Sequence, residues 1–303
     1  MTYSIVARDP QTGELGVAVQ SHYFQVGPVV PWAASGVGAI ATQSMVNVSY
    51  GPVGLEMLRN GFTAEQALKA LTGGDAMPEV RQAAIVDATG RVAAHTGAKC
   101  IPAAGHRTGD GYSCQANLME RDTVWDAMSQ AFEQTKGSLA ERLMVALEAA
   151  EAEGGDIRGK QSAAMLVVRG TTTGKSWEDR IVDLRVEDHP EPLPELRRLL
   201  TIRRAYDADT EADHLDEKGD HAGARAKRVE AQRLAPDNVE LKFWAGIAIA
   251  EAGDLDGGAD LIAEAVRADP RWAPTLLERL VAVDRMSPQL ARNLESRLRA
   301  VSK

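Results

Sequence analysis

The residue with the clearest chemical potential is Thr2, which follows the initiator methionine and opens the first β-branched run, TYSIVAR. Methionine aminopeptidases remove Met1 when the next residue is small, so the mature chain is expected to begin with a threonine. Such a residue joins a hydroxyl nucleophile to an α-amine whose pKa, about 7.7 to 8.0, is close enough to neutrality for the amine to act as general base. Small second residues are also common in chains without such chemistry, so Thr2 alone decides nothing. The other polar candidates each have a duller reading. Gln43 and Ser44 end an apolar run, where they either face a cleft or satisfy buried backbone. His106 and Asn117 flank a glycine-rich stretch and either touch a substrate or meet solvent. Lys99 beside Cys100 can lower that thiol's pKa, although a small buried cysteine is the commoner case; Cys114 is the second thiol.

Familiar catalytic signatures are missing: nothing matches GxSxG, a P-loop, HExxH or an EF-hand loop. Gly36-Val37-Gly38 and the stretch with Gly105, Gly109 and Gly111 do not open a helix after a strand at dinucleotide spacing, and read as turns and close backbone contacts. His22, His95, His106, His189, His214 and His221 show no i, i+4 pairing. Neither a metal nor another cofactor is therefore expected.

The elements that must position these residues follow from hydrophobic period and punctuation. Residues 3–8 and 15–20 flank the turn Asp9-Pro10-Gln11-Thr12-Gly13 as a β-hairpin, and 28–33 and 37–44 read as two more strands. A helix over about 50–60 ends at Asn60-Gly61, and the capping box Thr63-Ala64-Glu65-Gln66 starts another that runs to Gly73-Gly74. Strands are expected at 81–87, 91–95 and 112–118, then a helix from an Asp122 cap and one from the capping box Ser138-Leu139-Ala140-Glu141. Strands at 161–169 and 180–186 close the half. This order cannot make a doubly wound parallel sheet, which needs strict β-α alternation. It fits an α+β fold in the form of a four-layer αββα sandwich, with two antiparallel sheets inside and a helix pair on each outer face.

Three prolines at 190, 192 and 194 suggest an extended linker, so residues 1–193 are assigned to the sandwich and 194–303 to an all-α domain. Within the latter, Gly219-Asp220 recurs as Gly253-Asp254, Glu230-Ala231 as Glu264-Ala265, and Pro236 as Pro270, each 34 residues apart. That is the tetratricopeptide period, and such units commonly present a concave face to a protein partner or to another subunit. The alternative is a helical bundle whose echo arises from an alanine-rich composition.

Composition narrows the partners. The 303 residues are 44% hydrophobic and carry 34 basic against 43 acidic side chains, a net charge of −9, with no basic run to neutralise phosphates or anionic lipid. Nucleic acid and membrane surfaces are not expected partners. Residues 27–41, the most apolar stretch, contain two prolines and three glycines and are too short to span a bilayer; no signal peptide is visible. Two cysteines without CxxC spacing fit a reduced, cytoplasmic setting.

The runs Ser4-Ile5-Val6-Ala7-Arg8-Asp9, Gly13-Glu14-Leu15-Gly16-Val17-Ala18-Val19, Gly36-Val37-Gly38-Ala39-Ile40-Ala41-Thr42-Gln43, Ser49-Tyr50-Gly51-Pro52, Thr96-Gly97-Ala98-Lys99-Cys100 and Gly105-His106-Arg107 go further. Over nearly all of residues 1–200 the chain resembles the bacterial family catalogued as domain of unknown function 1028. That resemblance implies a fold like that of the N-terminal-nucleophile (Ntn) hydrolases, the superfamily of the proteasome β subunits, but no named substrate. Carried over, it implies Thr2 as nucleophile and, through its freed amine, as base. It implies an oxyanion-stabilising backbone N–H in the loop from Asn47 through Ser49 to Tyr50, and Gln20, Ser21 and His22 lining a pocket. The chain departs from the proteasome pattern in having no carboxylate or ammonium within residues 18–22 or 30–34.

The expected function is thus an Ntn-type amidohydrolase acting on a small amide or N-acyl compound, in a chain that forms a homo-oligomer. The alternatives are an inactive scaffold or binding protein whose helical tail docks a partner or self-associates, and an enzyme using Cys100 or Cys114.

Overall fold

The structure is a computed structural model that describes residues 2–301. Two compact units divide at Leu199 and Leu200. The first is α+β, with antiparallel sheets, and the second is all-helical.

In chain order the first unit runs β1 (Thr2–Arg8), β2 (Leu15–Ser21), β3 (Pro31–Ala34), β4 (Gly38–Ser44), α1 (Tyr50–Arg59), α2 (Ala64–Gly74), β5 (Arg81–Asp87) and β6 (Val92–Thr96). It continues through β7 (Gly105–Gly109), β8 (Tyr112–Asn117), α3 (Val124–Gln134), α4 (Leu139–Ala152), β9 (Ser162–Val168), α5 (Ser176–Asp179) and β10 (Arg180–Val186). One sheet has the order β10-β9-β2-β1-β8-β7 and the other β3-β4-β5-β6, and every neighbouring pair is antiparallel. The β1–β2 turn is held by the Asp9 carboxylate, which accepts the N–H groups of Gln11 and Thr12 at 2.9 Å each, while Gly13 takes a φ of 75° that only glycine adopts freely.

The sheets face each other, and each outer face is covered by helices: α3 and α4 over the six-stranded sheet, α1 and α2 over the other. Glycines set both close approaches. A Cβ on Gly16 would lie 2.7 Å from Leu143, and one on Gly51 would lie 2.3 Å from the Trp32 ring. Between the sheets Val6, Val17, Val19, Ala39, Ala41, Ala84 and Val86 form an apolar core. Each such valine contributes about 1.5–3 kcal/mol by leaving water.

The structure departs from the sequence reading in several places: the strand expected at 28–33 forms only at Pro31–Ala34, after a turn, and the short α5 was not expected. A strand, β7, lies in the glycine-rich segment read as turns, because Gly105 lets the Trp125 ring close over it and Gly109 admits the Tyr112 ring. Helix α3 starts after Thr123 rather than at an Asp122 cap, and Thr123 makes no side-chain cap bond. The extended linker is replaced from Pro192 onward by helix, since prolines in a first turn lack only N–H groups that have no intrahelical acceptor.

That helix is α6 (Pro192–Glu217); α7 (His221–Leu234), α8 (Val239–Glu251), α9 (Leu255–Ala268), α10 (Thr275–Ala282) and α11 (Pro288–Val301) follow. The 34-residue echo marks equivalent helix starts: Asp220 and Asp254 each cap a helix by accepting the N–H of Gly223 and Gly257, both at 2.9 Å. Helices α8 and α9 meet at backbone contact, where a Cβ on Gly258 would lie 2.5 Å from the Gly246 carbonyl oxygen. Among the described residues no helix is long and apolar enough to cross a membrane.

Candidate active site

Strand alternation gives the inter-sheet space a polar end next to its apolar core. On β1, Thr2 and Ser4 face inward with Val6, whereas Tyr3 faces outward and donates from its phenol to Glu151 on α4 at 2.7 Å. Partners across a register share a face, so Ser21, opposite Thr2 on β2, and Asn117 and Gln115, opposite Thr2 and Ser4 on β8, face inward too. The other sheet supplies Gln43 from β4 and Gln82 from β5. All of these are buried; Thr2 is 4% exposed.

Two backbone carbonyls orient the whole array. Gln82 Nε2 donates to the Ala116 oxygen at 2.8 Å and the Gly105 oxygen at 3.1 Å, groups that can only accept. Gln82 Oε1 is therefore the accepting end, and it receives Gln43 Nε2 and Asn117 Nδ2, both at 2.8 Å. Gln43 Oε1 must then accept, from Ser4 Oγ at 2.6 Å; Ser4 Oγ accepts from Gln115 Nε2 at 2.6 Å, and Gln115 Oε1 from Ser113 Oγ at 2.9 Å. The donor and acceptor ends of each amide are fixed and every member is neutral, so the array holds geometry and cannot take up a proton near pH 7.

Thr2 sits at the end of this array. Its Oγ1 donates to Ser21 Oγ at 3.0 Å, and its carbonyl oxygen accepts Gln43 Nε2 at 3.2 Å and Asn117 Nδ2 at 3.4 Å. Asn117 Oδ1 has no partner among the described residues although Asn117 is fully buried. Met1, whose removal the sequence reading expects, lies outside the described residues.

Of the residues singled out from sequence, the structure gathers Thr2, Ser21, Gln43 and Asn117. His106 joins their edge: it lies opposite Gln115 on β7, and its Nδ1 is 2.8 Å from Thr96 Oγ1, which in turn accepts from Gln82 Nε2 at 3.0 Å. Partial burial of the ring, with His95 as a second influence, holds the His106 pKa below its ordinary value. Gln20 does not share the face. It lies opposite Tyr3, under α4, with neither side-chain polar atom partnered among the described residues. His22 lies beyond the strand end, its N–H donating to Asp156 at 3.2 Å. Ser44 ends β4 with a φ of 72°.

Asn47, Ser49 and Tyr50 belong to a different cluster, centred on Asp75. Asn47 Nδ2 donates to Asp75 at 2.9 Å, its Oδ1 accepts the Ser49 amide at 3.2 Å, and the Tyr50 amide donates to the Asn47 carbonyl at 3.2 Å. Arg81 clamps Asp75 through Nε at 2.9 Å and Nη2 at 3.3 Å, and its other nitrogen reaches the Met45 carbonyl. The guanidinium, then Asn47, hold the Asp75 carboxyl well below the usual carboxylate range. Burial and the neighbouring Asp75 push the Tyr50 phenol up to about 12.

Both thiols are buried. Burial, with Glu133 and Asp126 nearby, pushes the Cys114 thiol well above its ordinary pKa, and Cys100 is buried with Sγ donating to the Arg81 carbonyl at 3.3 Å. Lys99 is 3.2 Å from Glu79. Among the described residues no group of three or more His, Cys, Asp or Glu side chains converges as a metal site. The sequence reading missed Ser4, Gln82, Gln115 and Thr96. For Ser4 and Gln115 the signal was a polar residue at every second position of an otherwise apolar strand; RQAAIVD and VAAHT gave none for Gln82 and Thr96.

A family model described as a family of unknown function, DUF1028, matches residues 2–196. The crystal structure of protein SPO2555 from Silicibacter pomeroyi, described as belonging to that same family, is similar with 32% identity and a TM-score of 0.60, over 66% of this chain and 84% of that one. No curated protein shows a significant match.

Proposed function

The chain belongs to the DUF1028 family, and from that premise we propose that it is an Ntn-type amidohydrolase acting on a small amide or N-acyl compound, its first unit an αββα sandwich of the Ntn kind. The observation that carries this reading is the placement of Thr2: first in β1, hydroxyl inward, at the polar end of a space between two antiparallel sheets. Removal of Met1 frees an α-amine on the residue that bears the hydroxyl. The amine takes the Oγ1 proton as Oγ1 attacks the amide carbon, then gives it to the departing nitrogen as the C–N bond breaks. Water, deprotonated by the same amine, cleaves the resulting ester and restores the hydroxyl. The neutral array leaves this amine as the base, since no carboxylate or ammonium belongs to it. The amides of Ser49 and Tyr50 donate within their own turn, so neither is free to hold the oxyanion in this arrangement.

A second reading has its own support. Thr2 is 4% exposed and its hydrogen-bonded neighbours carry no charge, as in a sandwich kept as a scaffold. In that reading the helical unit, tetratricopeptide-like by its 34-residue period, docks a protein partner or a second copy of the chain.

Intact mass before and after a β-lactone probe, with peptide mapping, separates the two. The hydrolase reading expects a chain lacking Met1 with the adduct on Thr2, no adduct in Thr2→Ala, and a rate lower by about 10²–10⁴-fold when the amine is blocked by an added residue. Retained Met1 would remove the catalytic argument and leave the scaffold.

A further inference from the structure

We propose that Asn117 is a positioning residue for the freed α-amine of Thr2, holding one of its N–H groups through Oδ1; this rests on the reading of Thr2 given above. The orientation of Asn117 is forced. Its Nδ2 faces two acceptors, Gln82 Oε1 at 2.8 Å and the Thr2 carbonyl oxygen at 3.4 Å, and Gln82 is itself fixed by two backbone carbonyls. The accepting end is thereby left without a partner on a fully buried side chain that lies opposite Thr2 in the sheet register. A buried amide oxygen left unpaired is costly, and natural interiors rarely keep one without reason. The Thr2 nitrogen carries one hydrogen while joined to Met1 and two or three once freed, so processing creates the donor that Oδ1 lacks. A neutral acceptor held against an amine stabilises its charged form modestly and fixes which way its lone pair points.

The groups around Thr2 leave Asn117 as the tuning element. Those facing it are Ser4 on its own strand, Ser21 on β2, Gln115 on β8, Gln43 on β4 and Gln82 on β5, all neutral. The nearest titratable groups by connection are His106, reached through Thr96 and Gln82, and His22, beyond the end of β2 beside Asp156. Tyr3 and Glu151 lie on the opposite face of the sheet.

The test is competitive acetylation of the processed protein across pH, which reads the α-amine pKa without any substrate, alongside the pH profile of β-lactone labelling. Asn117→Asp, nearly isosteric, is expected to raise the amine pKa, and Asn117→Ala to lower it, each by about one pH unit, with the labelling midpoint following. A merely structural role would slow labelling without opposed shifts; should Asn117→Ala not fold, Asn117→Ser replaces it, with a smaller downward shift expected. An amine pKa identical in wild type and variants overturns the inference while leaving Thr2 to its own test. Opposed shifts with no adduct on Thr2 support the amine contact and sink the hydrolase. Retained Met1 overturns both.

Discussion

At the scale of single residues, Gln82 decides more than Thr2 does. It sits on β5, bonds two carbonyls of the opposite sheet, and accepts the donors that touch the Thr2 main chain. Replacing it with leucine keeps nearly the same volume but removes the acceptor that Gln43 and Asn117 share and the donor to two carbonyls, that of Ala116 buried. Unsatisfied groups of this kind cost about 1–3 kcal/mol each before relaxation, so Gln82→Leu is expected to lose about 2–4 kcal/mol in urea unfolding and to slow Thr2 labelling. A loss under 1 kcal/mol would mean the array is replaceable by apolar packing. Gln82 was not legible in the sequence as a site residue, because RQAAIVD reads as a plain buried strand and its partners come from residues up to 39 positions away. Thr2 could be singled out from sequence, since the chemistry proposed for it needs only its position in the chain and the type of its side chain.

At the scale of elements, the order of strands and helices was largely written in local punctuation. The Thr63 capping box, the Ser138 cap and the Asp9 turn all form as their residue types dictate. β7 escaped because two of its five residues are glycine, and what makes them strand is the Trp125 and Tyr112 rings above them. The Asp75 cluster escaped for the same kind of reason: it joins the end of α2, the β4–α1 loop and the start of β5. Because Asp75 is held below its ordinary pKa, its stabilisation is complete above the unfolded-state pKa of about 3.9 and is lost as pH falls toward the folded value. Asp75→Asn should therefore be less stable than wild type at pH 7, and its urea midpoint should change less between about pH 5 and pH 2. Parallel pH curves for the two proteins would show that the Arg81 clamp contributes nothing net.

At the scale of the whole molecule, each unit has a core of its own, and the candidate chemistry belongs to the first. The helical unit buries Phe243, Ile262, Leu277 and Leu294 together, with Ile262 fully buried and packed where a Cβ on Gly246 would come within 2.7 Å of it. So close a helix pair has little room to collapse around a void, which places Ile262→Ala within the 2–5 kcal/mol range, roughly, for such truncations. Trp244 and Trp272 lie beside this core, and in a chain whose Trp32, Trp125 and Trp177 are replaced by phenylalanine they report its unfolding by fluorescence. Their urea midpoint should fall in the variant. If hydrolysis needs only Thr2 and the inter-sheet array, β-lactone labelling of Thr2 at 25 °C should proceed at the wild-type rate as long as the first unit stays folded. Labelling that disappears together with the tryptophan signal would make the helical unit part of the working site. Unchanged labelling would instead assign the 34-residue repeats a role separable from the chemistry, which is what a docking tail requires.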